Sequence, residues 1–142
     1  MSFLNSLRKR MDAKVWRSVL LLLLRQRAAA CDRDGVGWCL FSYRYEFSDC
    51  LPLLTAWLNM SVSARQTVLR ATLHCTRRDL KLYRPLWAEG LRDSAAAVVR
   101  AAIDAVATHR ARSLRKLIEA LAHDKRDPVA ASAQKLLEIW NG

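Results

Sequence analysis

The chain is 142 residues long and carries 24 Lys+Arg against 13 Asp+Glu, a formal net charge of +11. Hydrophobic residues make up 52% of it, with only four glycines and three prolines; this excludes a disordered tail, a collagen-like chain and a turn-rich all-β fold, and the length suits one domain with its own core. So large an excess of base calls for an acidic partner or a structural explanation.

In chain order, residues 2–12 predict a short amphipathic helix with Phe3, Leu4, Leu7 and Met11 on one side. Residues 13–30 predict a longer helix, apolar all round in its middle and therefore buried. Its unbroken apolar run, Val19 to Leu24, is six residues, whereas a membrane span needs about 20. Arg8-Lys9-Arg10 before the run and Ala28-Ala29-Ala30-Cys31 after it give the outline of a cleaved leader. Arg25, Gln26 and Arg27 stand where such a leader needs small neutral residues. The expectation is a cytoplasmic chain with no transmembrane segment. Residues 31–37, with Asp32-Arg33-Asp34-Gly35, predict a loop. Residues 38–47 alternate like a strand in their later half, but the helical context favours a helix.

From residue 49 the chain repeats with a period of 30. Val68-Leu69-Arg70-Ala71, Val98-Val99-Arg100-Ala101 and Pro128-Val129-Ala130-Ala131 align, as do Trp57, Trp87 and Leu117, and Leu91 with Leu121. Each unit holds two helical patterns around a polar turn. Ser63, Ser94 and Asp127 are placed to cap the second helices, and Pro128 sits just inside the last of them. The first helices carry Trp and Leu, the second helices alanine; stacked hairpins need that pairing of bulk with small side chains, because no hairpin buries both faces alone.

Leu91-Arg92-Asp93 followed by Val99-Arg100-Ala101-Ala102 resembles a HEAT repeat, in particular the short bacterial kind related to phycobilisome-lyase repeats. Leu121 followed by Asp127-Pro128-Val129 keeps the turn but has Ala130 in place of the arginine. Leu69-Arg70-Ala71 keeps the arginine without the turn aspartate. The resemblance covers residues 49–140. It implies an all-α, right-handed α-solenoid of about three helical hairpins, with residues 1–48 as an N-terminal helical cap and residues 49–142 as repeats, together one domain. It also implies that Arg100 pairs with Asp93 or Asp124 in a ladder between units. A lyase-type accessory subunit of an enzyme is a weaker implication of the same resemblance.

No catalytic set emerges: His74, His109 and His123 are scattered, and Gly35-Val36-Gly37 lacks the rest of a phosphate-binding fingerprint. Cys31, Cys39, Cys50 and Cys75 include no C-x-x-C pair, so no metal and no cofactor is expected, and the four read as small buried hydrophobes in a reducing compartment. His74 beside Cys75 hints at an activated thiol, although adjacent helical residues point about 100° apart.

The charge is uneven: +6 over residues 1–27, −2 over 28–60, +5 over 61–92 and +2 over 93–142. In the repeats the bases gather at the connections between units, Arg77, Arg78, Lys81 and Arg84 at one and Arg110, Arg112, Arg115 and Lys116 at the next. Stacking lines these up as a basic ridge, which reads either as a solvated edge whose cations complement the carboxyl ends of the second helices or as a binding surface. The expected function is a non-catalytic protein–protein adaptor of the HEAT type. It would hold a partner with an acidic segment on the surface of its second helices, with Arg65, Arg70, Arg100 and Lys135 as contacts. The alternative is a nucleic-acid-binding HEAT-like protein using the ridge against phosphates, with an affinity that falls steeply as salt rises.

Overall fold

The computed structural model describes residues 2–76 and 79–142, with side chains from residue 6 onward. Among the described residues there are nine α-helices and no strand: α1 (Ser2–Arg10), α2 (Ala13–Ala29), α3 (Arg33–Glu46), α4 (Cys50–Leu58), α5 (Val62–Ala71), α6 (Leu80–Leu91), α7 (Ala96–Thr108), α8 (Arg115–Leu121) and α9 (Asp127–Asn141). Short 3-10 turns follow α5 (Thr72–His74) and precede α8 (Arg112–Leu114). Phe3 and Leu4 lie outside the described side chains.

Local chemistry explains the boundaries of α2 to α5 in particular. Asp12 accepts from Val15 N at 2.9 Å and opens α2; Asp49 accepts from Leu51 N at 3.0 Å and opens α4. The loop expected at residues 31–37 is much shorter, and this corrects the sequence expectation. Cys31 adopts a left-handed φ of 55°, its N–H bonds to Ala28 O and that of Asp32 to Arg27 O. This pair of bonds closes α2 in the manner usually assigned to glycine. Asp32 then caps α3 by accepting from Gly35 N at 3.0 Å. A Cβ on Gly35 would lie 2.4 Å from Asp32 Oδ2, so this glycine makes room for the cap rather than breaking the helix. Residues 38–46 are helical, as expected, and Phe47 forms the C-cap.

The capping contacts of the later units shift by one to three residues from those expected, and in the last two units the aspartate closes the turn before the helix. Ser61, not Ser63, accepts from Ala64 N; Asp93, not Ser94, accepts from Ala95 N; Asp124, not Asp127, accepts from Arg126 N. Pro128 falls in the first turn of α9, where its missing N–H costs nothing.

The helices pair in sequence, α2 with α3, α4 with α5, α6 with α7, and α8 with α9. Neighbouring pairs then pack first helix on first helix (α2, α4, α6, α8) and second on second (α3, α5, α7, α9). Within residues 1–48, the segment expected as the N-terminal cap, α2 and α3 pair with each other and pack on α4 and α5. The period of 30 marks the core: Leu69, Val99 and Val129 are fully buried, as are Trp57 and Trp87. In the last unit Ile118 takes the buried place and Leu117 is only partly covered. Helix α2 is not buried all round. Trp16, Leu20, Leu24 and Ala28 face inward at a four-residue spacing, while Val15 and Leu22 stand in solvent.

Two glycines in helices give opposite expectations. A Cβ on Gly90 in α6 would lie 2.9 Å from Ala102 Cβ and 3.1 Å from Leu69 Cδ1; the close approach of α6 to α5 and α7 depends on its absence. Gly90→Ala should lose about 1 kcal/mol, overpacking outweighing the better helix propensity. A Cβ on Gly37 in α3 meets nothing within 4 Å, and Gly37→Ala should gain about 0.5–1 kcal/mol. Urea midpoints moving in opposite directions would bear this out, and a stabilised Gly90→Ala would contradict the packing.

Candidate functional site

Three groups of basic residues in the repeats differ in what they touch. The first lies along the turns within the units. Arg65, at the start of α5, donates from Nε and Nη2 to both carboxylate oxygens of Asp93 (2.9 and 3.1 Å) and from Nη1 to Met60 O (2.7 Å). Its guanidinium also lies 5.7 Å from the centre of the Trp57 ring. Arg126 repeats the arrangement one unit later: it holds both oxygens of Asp124 and donates from Nη1 to Asp93 O and Ser94 O. A ladder therefore runs along this edge, but not with the residues expected. Asp93 takes Arg65, 28 positions earlier in the chain, and Asp124 takes Arg126, while Arg100 is exposed.

This edge has a pH consequence. The hydrogen bond from the Arg126 side chain, and next that from its backbone N–H, hold the Asp124 carboxyl down at about 2, below the ordinary 3.8. A carboxyl lowered by folding stabilises the fold above its unfolded value and loses that contribution as pH falls through the folded one. The stability difference between the protein and Asp124→Asn should thus be full at neutral pH and shrink between about pH 4 and pH 2. Denaturant titrations at several pH values measure it.

The second group stands on the second helices: Arg70 on α5, Arg100 on α7 and Lys135 on α9, all exposed and without an ion pair among the described residues. Of the four expected contact residues only Arg65 is turned inward. The third group is the expected ridge. Arg77 and Arg78 lie outside the described residues. Lys81, Arg110, Arg112 and Lys116 are exposed. Arg115 is held by Glu119 at 2.8 Å and by Asn141, and Arg84 is half-buried with an Nε that makes no hydrogen bond. Arg110 owes its place to the backbone, since it closes α7 at a φ of 52°.

Beside the ridge, the connection after α5 is fixed by buried polar bonds. Trp87 Nε1 donates to Thr72 Oγ1 at 3.0 Å, and His109, stacked on the Trp87 ring at 5.1 Å, meets Thr72 O at 2.8 Å. A carbonyl only accepts, so His109 Nε2 carries the proton. Asp79 is buried, accepts from Thr76 N and Oγ1, and pairs with Arg44 at 3.1 Å. The imidazole near Cys75 is that of His109 (3.4 Å), whereas His74 meets Arg33. Burial, and then the nearby Asp79, push the Cys75 thiol up to about 12, so it is not an activated nucleophile. Burial likewise raises Cys39 and Cys50 to about 11. Cys31 is exposed, against the expectation of four buried thiols.

A hollow of about 460 Å³ opens between α3 and this connection, with Phe41 on its wall and the Arg44 guanidinium 4.7 Å from the centre of that ring. Phe41 and Tyr45 project from α3 one turn apart, both exposed. The i, i+4 spacing is visible in the sequence, beside a strand-like alternation with buried Tyr43. No group of three or more His, Cys, Asp or Glu able to hold a metal occurs among the described residues, and no described helix is long and apolar enough to cross a membrane.

The chain matches no protein-family model, no curated protein and no solved structure.

Proposed function

We propose that the chain is a HEAT-type, right-handed α-solenoid whose function is to bind a protein partner through an acidic segment laid across its second helices. The observation that carries this is the contrast among its arginines. Arg65 and Arg126 are consumed by the turn ladder, whereas Arg70, Arg100 and Lys135 stand exposed on consecutive helices of one layer without an ion pair among the described residues. A stacked array offers such a row of cations to one extended partner. Charge-assisted contacts there favour acids and weaken as salt rises.

Affinity capture from native extract tests it, with the triple variant Arg70→Glu, Arg100→Glu, Lys135→Glu beside the unaltered protein. The expected result is an acidic protein retained by the unaltered chain and lost from the folded variant. Equal retention by both would overturn the assignment of that face. The four exposed ridge cations favour a second reading, phosphate binding. Duplex DNA retention at about 50 mM salt that disappears by about 300 mM would support it.

A further inference from the structure

A different face of the molecule carries an unexplained apolar groove. It lies on the first-helix layer between α2 and α4, has a volume of about 550 Å³, and is walled by Leu21 and Leu22 on one side and Leu51, Pro52 and Ala56 on the other, with Ser18, Arg25, Thr55 and Asn59 as its polar members. Leu22 is 55% exposed and Leu51 67%. Each wall continues the apolar row two turns along its helix, in Val15 (47%) and Leu58 (53%). Val15 and Leu22 on one helix and Leu51 and Leu58 on its neighbour, with Ser18 and Thr55 between them, together expose more apolar surface than leucines scattered singly.

Two features select the occupant. Both walls are helices, whose backbone groups are bonded within the helix, so a guest gains no main-chain hydrogen bonds and must satisfy its own. A helix does so, and it presents apolar residues at i, i+3, i+4 and i+7 to such a groove. The charges on the α2 wall are of one sign. Lys14 and Arg25 share the stripe of Ser18 and Leu22, eleven residues apart, or about 16 Å along the helix. Neither has an ion pair among the described residues. The nearest acids in sequence, Asp12 and Asp49, are engaged as helix caps. We infer that the α2–α4 groove is a docking site for an amphipathic helix of a partner protein, with an apolar stripe for the leucines and acidic residues about three turns apart for Lys14 and Arg25. This stands independently of the second-helix face, which shares none of these residues.

The probe is a displayed library of helical peptides with a fixed leucine stripe and randomised flanks. It is selected on the whole chain and re-measured against two variants, Leu22→Glu/Leu51→Glu and Lys14→Glu/Arg25→Glu. Both change only solvent-facing side chains, and circular dichroism confirms that they keep their helicity. Enrichment of acidic flanks is expected, with binding at least tenfold weaker to the leucine variant and a preference for basic flanks in the charge-reversed one. Absence of enrichment, basic flanks on the unaltered chain, or equal binding to the leucine variant would overturn the proposal. Two further results would overturn it in favour of another occupant. One is sedimentation with phosphatidylserine-containing vesicles that the leucine variant loses while no peptide is enriched. The other is a concentration-dependent dimer that the same variant abolishes. The triple variant of the second-helix face should bind the selected peptides unchanged, so failure of one site is separable from failure of the other.

Discussion

Trp87→Ala is expected to destabilise the protein by about 3–5 kcal/mol, the largest effect of any single substitution considered. The ring is fully buried in α6 and equivalent by the 30-residue period to Trp57. Removing it opens a cavity beside Tyr83, Thr72 and His109, and the interior cannot fully collapse to close it. It also removes two specific contacts, the hydrogen bond to Thr72 Oγ1 and the stack on His109. Thr72 Oγ1 still donates to Leu69 O at 2.5 Å, so its burial is only partly uncompensated. Trp87→Phe keeps most of the ring packing and should lose about 1–2 kcal/mol. Leu117→Ala, at the partly exposed equivalent place one unit later, should lose no more than that. Guanidinium unfolding of the three variants orders them; a Trp87→Ala cost below that of Leu117→Ala would mean that the two tryptophan positions do not anchor the stack. In thermal unfolding the midpoint should drop by on the order of 10 °C.

The sequence made the helices and their repeat legible because both rest on periodicity. Leu69, Val99 and Val129 occupy the same buried place as a consequence of a 30-residue pattern that needs no three-dimensional knowledge. What it concealed depends on rotation about helix axes. In α2, Val19 to Leu24 are all apolar, and nothing in the pattern says that Leu20 faces the core while Leu22 faces water; the groove was invisible for that reason. Arg100 stands close in sequence to Asp93, yet the face of α7 that carries it points to solvent. Arg65, from the preceding unit, arrives at Asp93 through stacking. The start of α3 was missed on different grounds. Asp-Arg-Asp-Gly usually punctuates a chain, but here the first aspartate caps a helix and the glycine clears space for its carboxylate. The inert state of Cys75 likewise follows from burial, which its sequence neighbour His74 does not report.

Asp93→Ala is expected to cost about 2–4 kcal/mol, more than any other change to a charged residue considered. Three donors converge on this carboxylate: Arg65 Nε, Arg65 Nη2 and Ala95 N. The Asp93 side chain is 9% exposed and that of Arg65 15%, so solvent replaces little of what the substitution removes. Loss of the cap on the turn before α7 alone accounts for about 1 kcal/mol; the guanidinium, left against Met60 O and the Trp57 ring without its counter-charge, accounts for the rest. Asp93→Asn retains the cap and one hydrogen bond and should cost clearly less. Asp124→Ala removes a more exposed partner, 18% against 9%, and should also cost less. The coupling is measurable in a double-mutant cycle with Arg65→Ala, which should return an interaction energy of about 1–3 kcal/mol. Additivity within about 0.5 kcal/mol would show that the two residues do not act together across the unit boundary. The ladder would then be a consequence of the stacking and not one of its causes. A large coupling, by contrast, means that the edge arginines set the register between hairpins, and hence the spacing at which Arg70, Arg100 and Lys135 are presented on the second helices.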